Sequence, residues 1–142
     1  MNLKIYVDMD GVIADFNGAK NAVERFENEE KFFYRLKPLK NNVKFLKKIE
    51  KRFDVTILSK SPNMRTHRDK LKWLKKYGIK SPAILIPNSM SKNDFVNENE
   101  MNILFDDYGK NCREFDKVGK GVKVVDSLEL AFLGIMGELL EE

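Results

Sequence analysis

The sequence predicts an α/β fold: a three-layer, Rossmann-like sandwich built on a central five-stranded parallel sheet. Three observations carry that prediction. Five short runs rich in β-branched and aromatic residues recur along the 142 residues. Helical patterns lie between most of them, which implies a parallel sheet covered on both faces. Several of the runs are apolar nearly throughout, as strands buried on both sides should be. At this length, with 42% hydrophobic and 34% charged residues, residues 1–142 read as a single soluble globular domain.

The elements follow in order. Leu3-Lys4-Ile5-Tyr6-Val7 is the first strand and stops at Asp8. The stretch 16–36 departs from the alternation. It holds a short helical pattern (Phe16, Ala19, Val23, Phe26), an acidic turn at 27–30 and the aromatic cluster Phe32-Phe33-Tyr34. It reads as a short helical cap inserted after the first strand and folded over its end; the alternative is an ordinary crossover helix with a core aromatic cluster. Val43, Leu46, Ile49 and Phe53 recur at helical spacing, and Val55-Thr56-Ile57-Leu58 is the second strand. Leu71, Leu74 and Tyr77 mark another helix, stopped by Gly78. Ala83-Ile84-Leu85-Ile86, Ile103-Leu104-Phe105 and Val122-Lys123-Val124-Val125 complete the strands. Leu128, Ala131, Phe132, Ile135 and Leu139 form a final amphipathic helix, with Ser127 or Asp126 to cap it.

Composition removes several classes of function. The lone Cys112 rules out an internal disulfide and suits a reducing cytoplasm. The N-terminus has no basic stretch followed by an apolar one, so it reads as a strand and not a secretory leader. The most apolar stretch, 128–140, is interrupted by Glu129, Gly134, Gly137 and Glu138, which excludes a membrane span. Net charge is +4, and it is unevenly spread. From Lys60 to Lys92 there are nine Lys/Arg and one acid, Asp69; from Asp126 to Glu142 there are five acids and no Lys/Arg. A basic middle favours an anionic ligand such as a phosphate, nucleotide or nucleic acid. A solvated lysine-rich helix face would give the same composition.

Ligands of open parallel sheets bind beyond the carboxyl ends of the strands. The residues placed there are Asp8, Asp10 and Gly11, then Ser59, Lys60 and Ser61, then Lys92 along a loop, then Asp106 and Asp107. Carboxylates, hydroxyls and a lysine at successive strand ends suit phosphoryl transfer. A carboxylate can attack phosphorus, splitting one hard step into two. A divalent cation offsets the repulsion between that carboxylate and the phosphate, and Mg²⁺ prefers oxygen ligands of this kind, which Asp8 and Asp106/Asp107 supply. Asp10 is placed to move protons, Ser59 and a lysine to hold phosphate oxygens, and Gly11 to let the backbone turn beside them. Other readings of Asp8-x-Asp10-Gly11 fail. An EF-hand needs glycine at position six and glutamate at twelve, which here are Ile13 and Ala19. No Walker A pattern is present, and one His with one Cys cannot build a zinc cluster.

Asp8-Met9-Asp10-Gly11-Val12-Ile13-Ala14-Asp15-Phe16 resembles the first motif of the haloacid dehalogenase superfamily, in the form typical of its 5'(3')-deoxyribonucleotidases. Residues 55–59 resemble the second motif, Lys92 the third, and Ile103-Leu104-Phe105-Asp106-Asp107 the fourth. The resemblance covers roughly residues 3–125. It implies a Mg²⁺-dependent phosphomonoesterase acting on nucleotides, with Asp8 as nucleophile and Asp10 as general acid/base. Mg²⁺ would sit on Asp8, the Asp10 carbonyl and the Asp106/Asp107 pair, Asp107 being the favoured direct ligand. Ser59 and Lys92 would bind phosphate, and Phe16 would line the base or sugar pocket. Two departures stand out. Motif two reads Ser59-Lys60-Ser61-Pro62, one residue longer than the usual Thr-Ser-Pro, so its phosphate-contacting basic residue could be Lys60, Arg65 or His67. The cap is far shorter than in animal nucleotidases, which opens the site and admits a phosphatase for nucleic-acid ends or for another small phosphate ester. A reading of another class is a nucleotide- or nucleic-acid-binding module without catalysis.

Overall fold

The alternating apolar residues of the strands divide between two layers. A computed structural model describes residues 2–19, 21–22, 24–25 and 31–141. It contains β1 (Leu3–Val7), α1 (Lys40–Ile49), β2 (Asp54–Lys60), α2 (Met64–Lys76), β3 (Ala83–Ile86), β4 (Met101–Asp106), α3 (Gly109–Phe115), β5 (Lys120–Lys123) and α4 (Leu128–Glu141), with 3-10 turns at Phe33–Arg35 and Lys92–Phe95. The five strands are all parallel, in the order β3-β2-β1-β4-β5. Ile5, Val7, Val55, Ile57, Ile103 and Phe105 face the larger core, shared with Leu46 of α1, Trp73 of α2 and Phe132 of α4. Their neighbours Tyr6, Leu58 and Leu104 face a smaller core with Phe115 of α3 and Phe95. This is the period-two division a doubly covered sheet requires.

Strand order fixes where a ligand can sit. The chain runs outward from β1 through β2 to β3, then returns to the other side of β1 for β4. The crevice at the carboxyl ends of β1 and β4 is therefore the topological switch point. Asp8 closes β1, with its N–H on the Phe105 carbonyl at 3.0 Å, and Asp106 closes β4.

Two local readings change. β5 lies at 120–123, not at 122–125. It is an edge strand pairing with β4 alone, so Lys120 and Gly121 take part without an apolar signature, while Val125 is exposed. On α2 Leu74 and Tyr77 pack inward as expected, but Leu71 does not. Thr66, Asp69, Lys70, Trp73 and Leu74 are buried, and Leu71 is exposed. Gly78 takes φ +71° just past the helix, as expected, and the helix start is capped by Asn63, whose Oδ1 accepts from the Thr66 N–H at 2.8 Å. For α4, Ser127 Oγ accepts from the Leu130 N–H at 3.1 Å. No helix among the described residues is long and apolar enough to cross a membrane.

Within the stretch 16–36, Val23, Phe26 and the acidic turn at 27–30 lie outside the described residues. Phe32 and Phe33 are buried core residues. Phe16 packs near-parallel to Phe33 at 5.8 Å and edge-on to Phe32 at 5.9 Å. The Trp73 indole N–H donates to the Leu36 carbonyl at 2.9 Å and joins this segment to α2.

Candidate active site

Four carboxylates and two lysines converge beyond β1, β2 and β4. Lys92 is delivered by its 3-10 turn, whose start is fixed by a Ser91/Asp94 capping box. Its buried ammonium donates to Asp8 Oδ1 at 3.0 Å and to Asp106 Oδ2 at 2.7 Å. Asp106 is wholly buried and fully engaged: Oδ2 also accepts from Asn111 at 3.1 Å, and Oδ1 from the Tyr108 N–H at 2.9 Å. Asp107 is half-buried and is held by Asn17 Nδ2, which donates to Oδ2 at 3.0 Å. Gly11 lies beneath them at φ +82°, and a Cβ there would collide with the Asp107 carboxylate and the Asn17 amide. The glycine is thus required for its conformation and for its close approach.

A second lysine, which the sequence reading left among surface residues, completes the site. Lys70 of α2 is fully buried. Its Nζ donates to Asp10 Oδ2 at 3.0 Å, Ser59 Oγ at 2.9 Å and the Lys60 carbonyl at 2.7 Å, and it lies 4.5 Å from the Phe33 ring centroid. All three ammonium hydrogens are committed. Asp10 Oδ1 is buried with no hydrogen-bond partner among the described residues. Ser59 Oγ accepts from Lys70, which leaves its own O–H as a donor, and Ser59 lines the cavity. Lys60 lines the same cavity, whose volume is about 280 Å³. A larger hollow of about 320 Å³ beside Arg25 and Arg35 holds one carboxylate, Asp15, so size alone does not mark the site. Asp15 accepts the Gly18 N–H at 2.9 Å, a local turn role.

Electrostatics at the cluster are set first by burial and then by the neighbouring charges. Burial pushes the Asp8 carboxyl up to about 8; Lys92 opposes this, and Asp106 and Asp10 add to it. Burial by itself would lower the Lys92 ammonium, but Asp8 and Asp106 together hold it above the usual lysine value. Asp107 is raised by burial, against the hydrogen bond from Asn17. Oxygens of Asp8, Asp106 and Asp107 lie within 4.8 Å of one another. Three hard anionic oxygens at that spacing, beside a carboxylate that burial disfavours as an ion, fit a divalent cation such as Mg²⁺. Of the three, Asp106 accepts the most hydrogen bonds, from Lys92, Asn111 and the Tyr108 amide, which leaves Asp8 and Asp107 the less occupied.

Of the residues singled out in the sequence, Asp8, Asp10, Ser59, Lys60, Lys92, Asp106 and Asp107 line one cavity. Phe16 instead packs into the aromatic cluster with Phe32 and Phe33. Arg65 and His67 are not among the cavity's lining residues. Asn17, Lys70, Tyr108 and Asn111 were not read as site residues. Asn17 and Tyr108 carry one usable signal, since each lies directly after a motif. Cys112 is buried, with burial pushing its thiol up to about 11, which suits an inert residue.

No family model matches the chain. In sequence it is 32% identical over 84 residues to a protein of Vibrio phage KVP40 named "Putative 5'(3')-deoxyribonucleotidase". That match covers 51% of this chain and 49% of the phage protein, so the chain spans about half the length of the curated relative it matches. In structure it superposes on a "putative haloacid dehalogenase-like hydrolase" from Burkholderia xenovorans LB400, with TM-score 0.61 and 14% identity, covering 92% of this chain and 85% of that one. It also superposes on a chain of the Pnkp1/Rnl/Hen1 complex, with TM-score 0.66 and 16% identity, covering 87% of this chain and 46% of that one. The chain has the fold of the haloacid dehalogenase-like hydrolases and, in sequence, resembles the 5'(3')-deoxyribonucleotidases among them.

Proposed function

We propose that the chain is a Mg²⁺-dependent phosphomonoesterase that works through an aspartyl-phosphate and acts on nucleoside monophosphates, deoxynucleotides foremost. The observation that carries this is the pairing of Asp8 and Asp10. Asp8 is gripped by Lys92 at 3.0 Å beside two further carboxylates, while two residues on Asp10 keeps one buried oxygen without a partner among the described residues. One carboxylate is thus fixed for attack, and the other has an oxygen free to exchange a proton.

In the first step an Asp8 oxygen attacks phosphorus and the bond from phosphorus to the ester oxygen breaks. The leaving oxygen takes a proton from Asp10. In the second step water attacks the aspartyl-phosphate, Asp10 takes the water's proton, and the bond to Asp8 breaks to release phosphate. Lys92 and the Ser59 hydroxyl hold the phosphoryl oxygens as charge shifts onto them. Lys60, on the cavity wall, adds positive charge at its edge. Lys70 orients both Asp10 and Ser59. Asp8 and Asp107, with Asp106 and the Asp10 carbonyl, would hold Mg²⁺, which would supply charge neutralisation between phosphate and carboxylates.

A second reading, a phosphatase for nucleic-acid ends, draws on the excess of Lys/Arg from Lys60 to Lys92 and on the likeness to a chain of an RNA repair complex. One screen tests both. Purified protein with Mg²⁺ is assayed on deoxynucleotides, ribonucleotides, sugar phosphates and phosphorylated oligonucleotides. Preference for mononucleotides supports the first reading and preference for oligonucleotides the second. Asp8→Asn and Asp10→Asn are each expected to lose at least a hundredfold in kcat. Undiminished turnover in either variant would sink the mechanism, and no turnover with retained, salt-dependent oligonucleotide binding would make the chain a binding module.

A further inference from the structure

We propose that Tyr108 is the platform on which the alcohol portion of the substrate stacks, making the site selective for phosphate esters whose alcohol carries a flat ring. This rests on the phosphatase reading above and names the residue that sets its specificity.

Tyr108 lines the same cavity as Asp8, Asp10 and Lys92. It is 58% exposed, and it is the single aromatic among the large apolar side chains that are exposed in the described residues. Its ring and hydroxyl have no hydrogen bond, stacking or cation partner among those residues. A lone exposed tyrosine is unremarkable on a protein surface. This one differs in how its backbone is held. Its N–H donates to Asp106 Oδ1 at 2.9 Å, and Asp106 is itself clamped by Lys92 and Asn111. Tyr108 also follows Asp107 directly and starts α3 as its N-cap residue. The bare ring is therefore carried on a backbone fixed relative to the groups that would hold phosphate. A pre-positioned aromatic face loses little freedom when a flat ring stacks on it.

Phe16, the residue assigned to this task by resemblance, is differently occupied. Its ring packs near-parallel against Phe33 and edge-on against Phe32, both buried. Of the two aromatics, Tyr108 is the one among the residues that line the cavity holding the carboxylates.

The test compares two esters of one sugar: thymidine 5'-monophosphate and deoxyribose 5-phosphate, which lacks the base. The readout is the ratio of their kcat/KM values in wild type, Tyr108→Ala, Tyr108→Phe and Tyr108→Trp, with melting curves confirming that each variant folds. The ratio is expected to fall about tenfold in Tyr108→Ala, mostly through KM for the nucleotide, in line with base stacking on an aromatic ring. Tyr108→Phe and Tyr108→Trp should hold it within about threefold, because the ring face is kept. An unchanged ratio in Tyr108→Ala overturns the proposal while leaving the phosphatase reading intact, as does an equal fall in Tyr108→Phe, which would assign the effect to the hydroxyl. A wild type that turns over neither these nor any other phosphate ester overturns the phosphatase reading, and the platform with it.

Discussion

Lys70 shows what a single residue adds to a motif. A buried ammonium is costly unless it is paired and hydrogen-bonded, and here three acceptors surround it. Its partners are Asp10, the carboxylate proposed to move protons, and Ser59, the hydroxyl proposed to bind phosphate, so one side chain fixes both groups. Replacing it with methionine keeps the bulk and removes the hydrogen bonds. Lys70→Met is expected to lower kcat by about a hundredfold, the scale of a displaced general acid. In an Asp10→Asn background the same change should cost only a few-fold, because contacting residues that act together are non-additive. A full hundredfold loss persisting in that background would deny Lys70 its role through Asp10. The five residues Asp8, Asp10, Lys92, Asp106 and Asp107 could be read from the sequence because each follows a strand or its loop. Lys70 could not. It sits mid-helix among other lysines, and only knowing which face of α2 turns inward separates it from Lys72, Lys75 and Lys76, which do not line the core.

At the scale of elements, the apolar runs revealed β1 to β4 because those strands are covered or flanked by other elements and must be apolar. β5 was displaced because, unlike the other edge strand β3, which is apolar throughout, it pairs through Lys120 and Gly121 without that signature. The sequence also gave no sign of how α1 and α4 are joined to the loop after β1. The joint is Asn42, a buried polar residue of α1. Its Nδ2 donates to the Val12 carbonyl at 2.7 Å and the Asp126 carbonyl at 2.9 Å, and its Oδ1 accepts the Leu128 N–H at 3.0 Å. One side chain thus ties the loop after β1, α1 and the first residue of α4. Asn42→Ala would leave two buried groups, the Val12 carbonyl and the Leu128 N–H, and the part-buried Asp126 carbonyl without this partner, a buried group being worth about 1–3 kcal/mol at full desolvation. Partial relaxation brings the expected loss to roughly 2–4 kcal/mol, read as a lower urea midpoint at unchanged m-value. A midpoint equal to wild type would show that the three elements are held by packing alone.

The whole molecule carries net charge +4, yet it concentrates Asp8, Asp10, Asp106 and Asp107 at one end of its sheet, against the two lysines Lys70 and Lys92. That arrangement has a cost in the protein alone, and Asp8 reports it: burial first, then Asp106 and Asp10, push its carboxyl up to about 8. The sign follows from proton counting. Above the ordinary aspartate value of about 3.9 the unfolded chain releases this proton, while the folded protein retains it. The folded state then binds more protons, so this group's contribution to stability falls as pH rises from about 4 to about 8. A divalent cation bound between Asp8 and Asp107 acts in the opposite direction, because it favours the ionised carboxylate. Mg²⁺ should therefore raise the melting temperature, and raise it more at pH 8 than at pH 5. At a hundred times its Kd the stabilisation is about 2.7 kcal/mol, or several degrees for a domain of this size. Asp107→Asn should remove most of the shift, since Asp106 is held by Lys92, Asn111 and the Tyr108 amide. Differential scanning fluorimetry at the two pH values, with Mg²⁺ titrated into wild type and variant, checks both the ligand and the sign. A shift larger at pH 5, or one kept in Asp107→Asn, would place the cation away from this cluster.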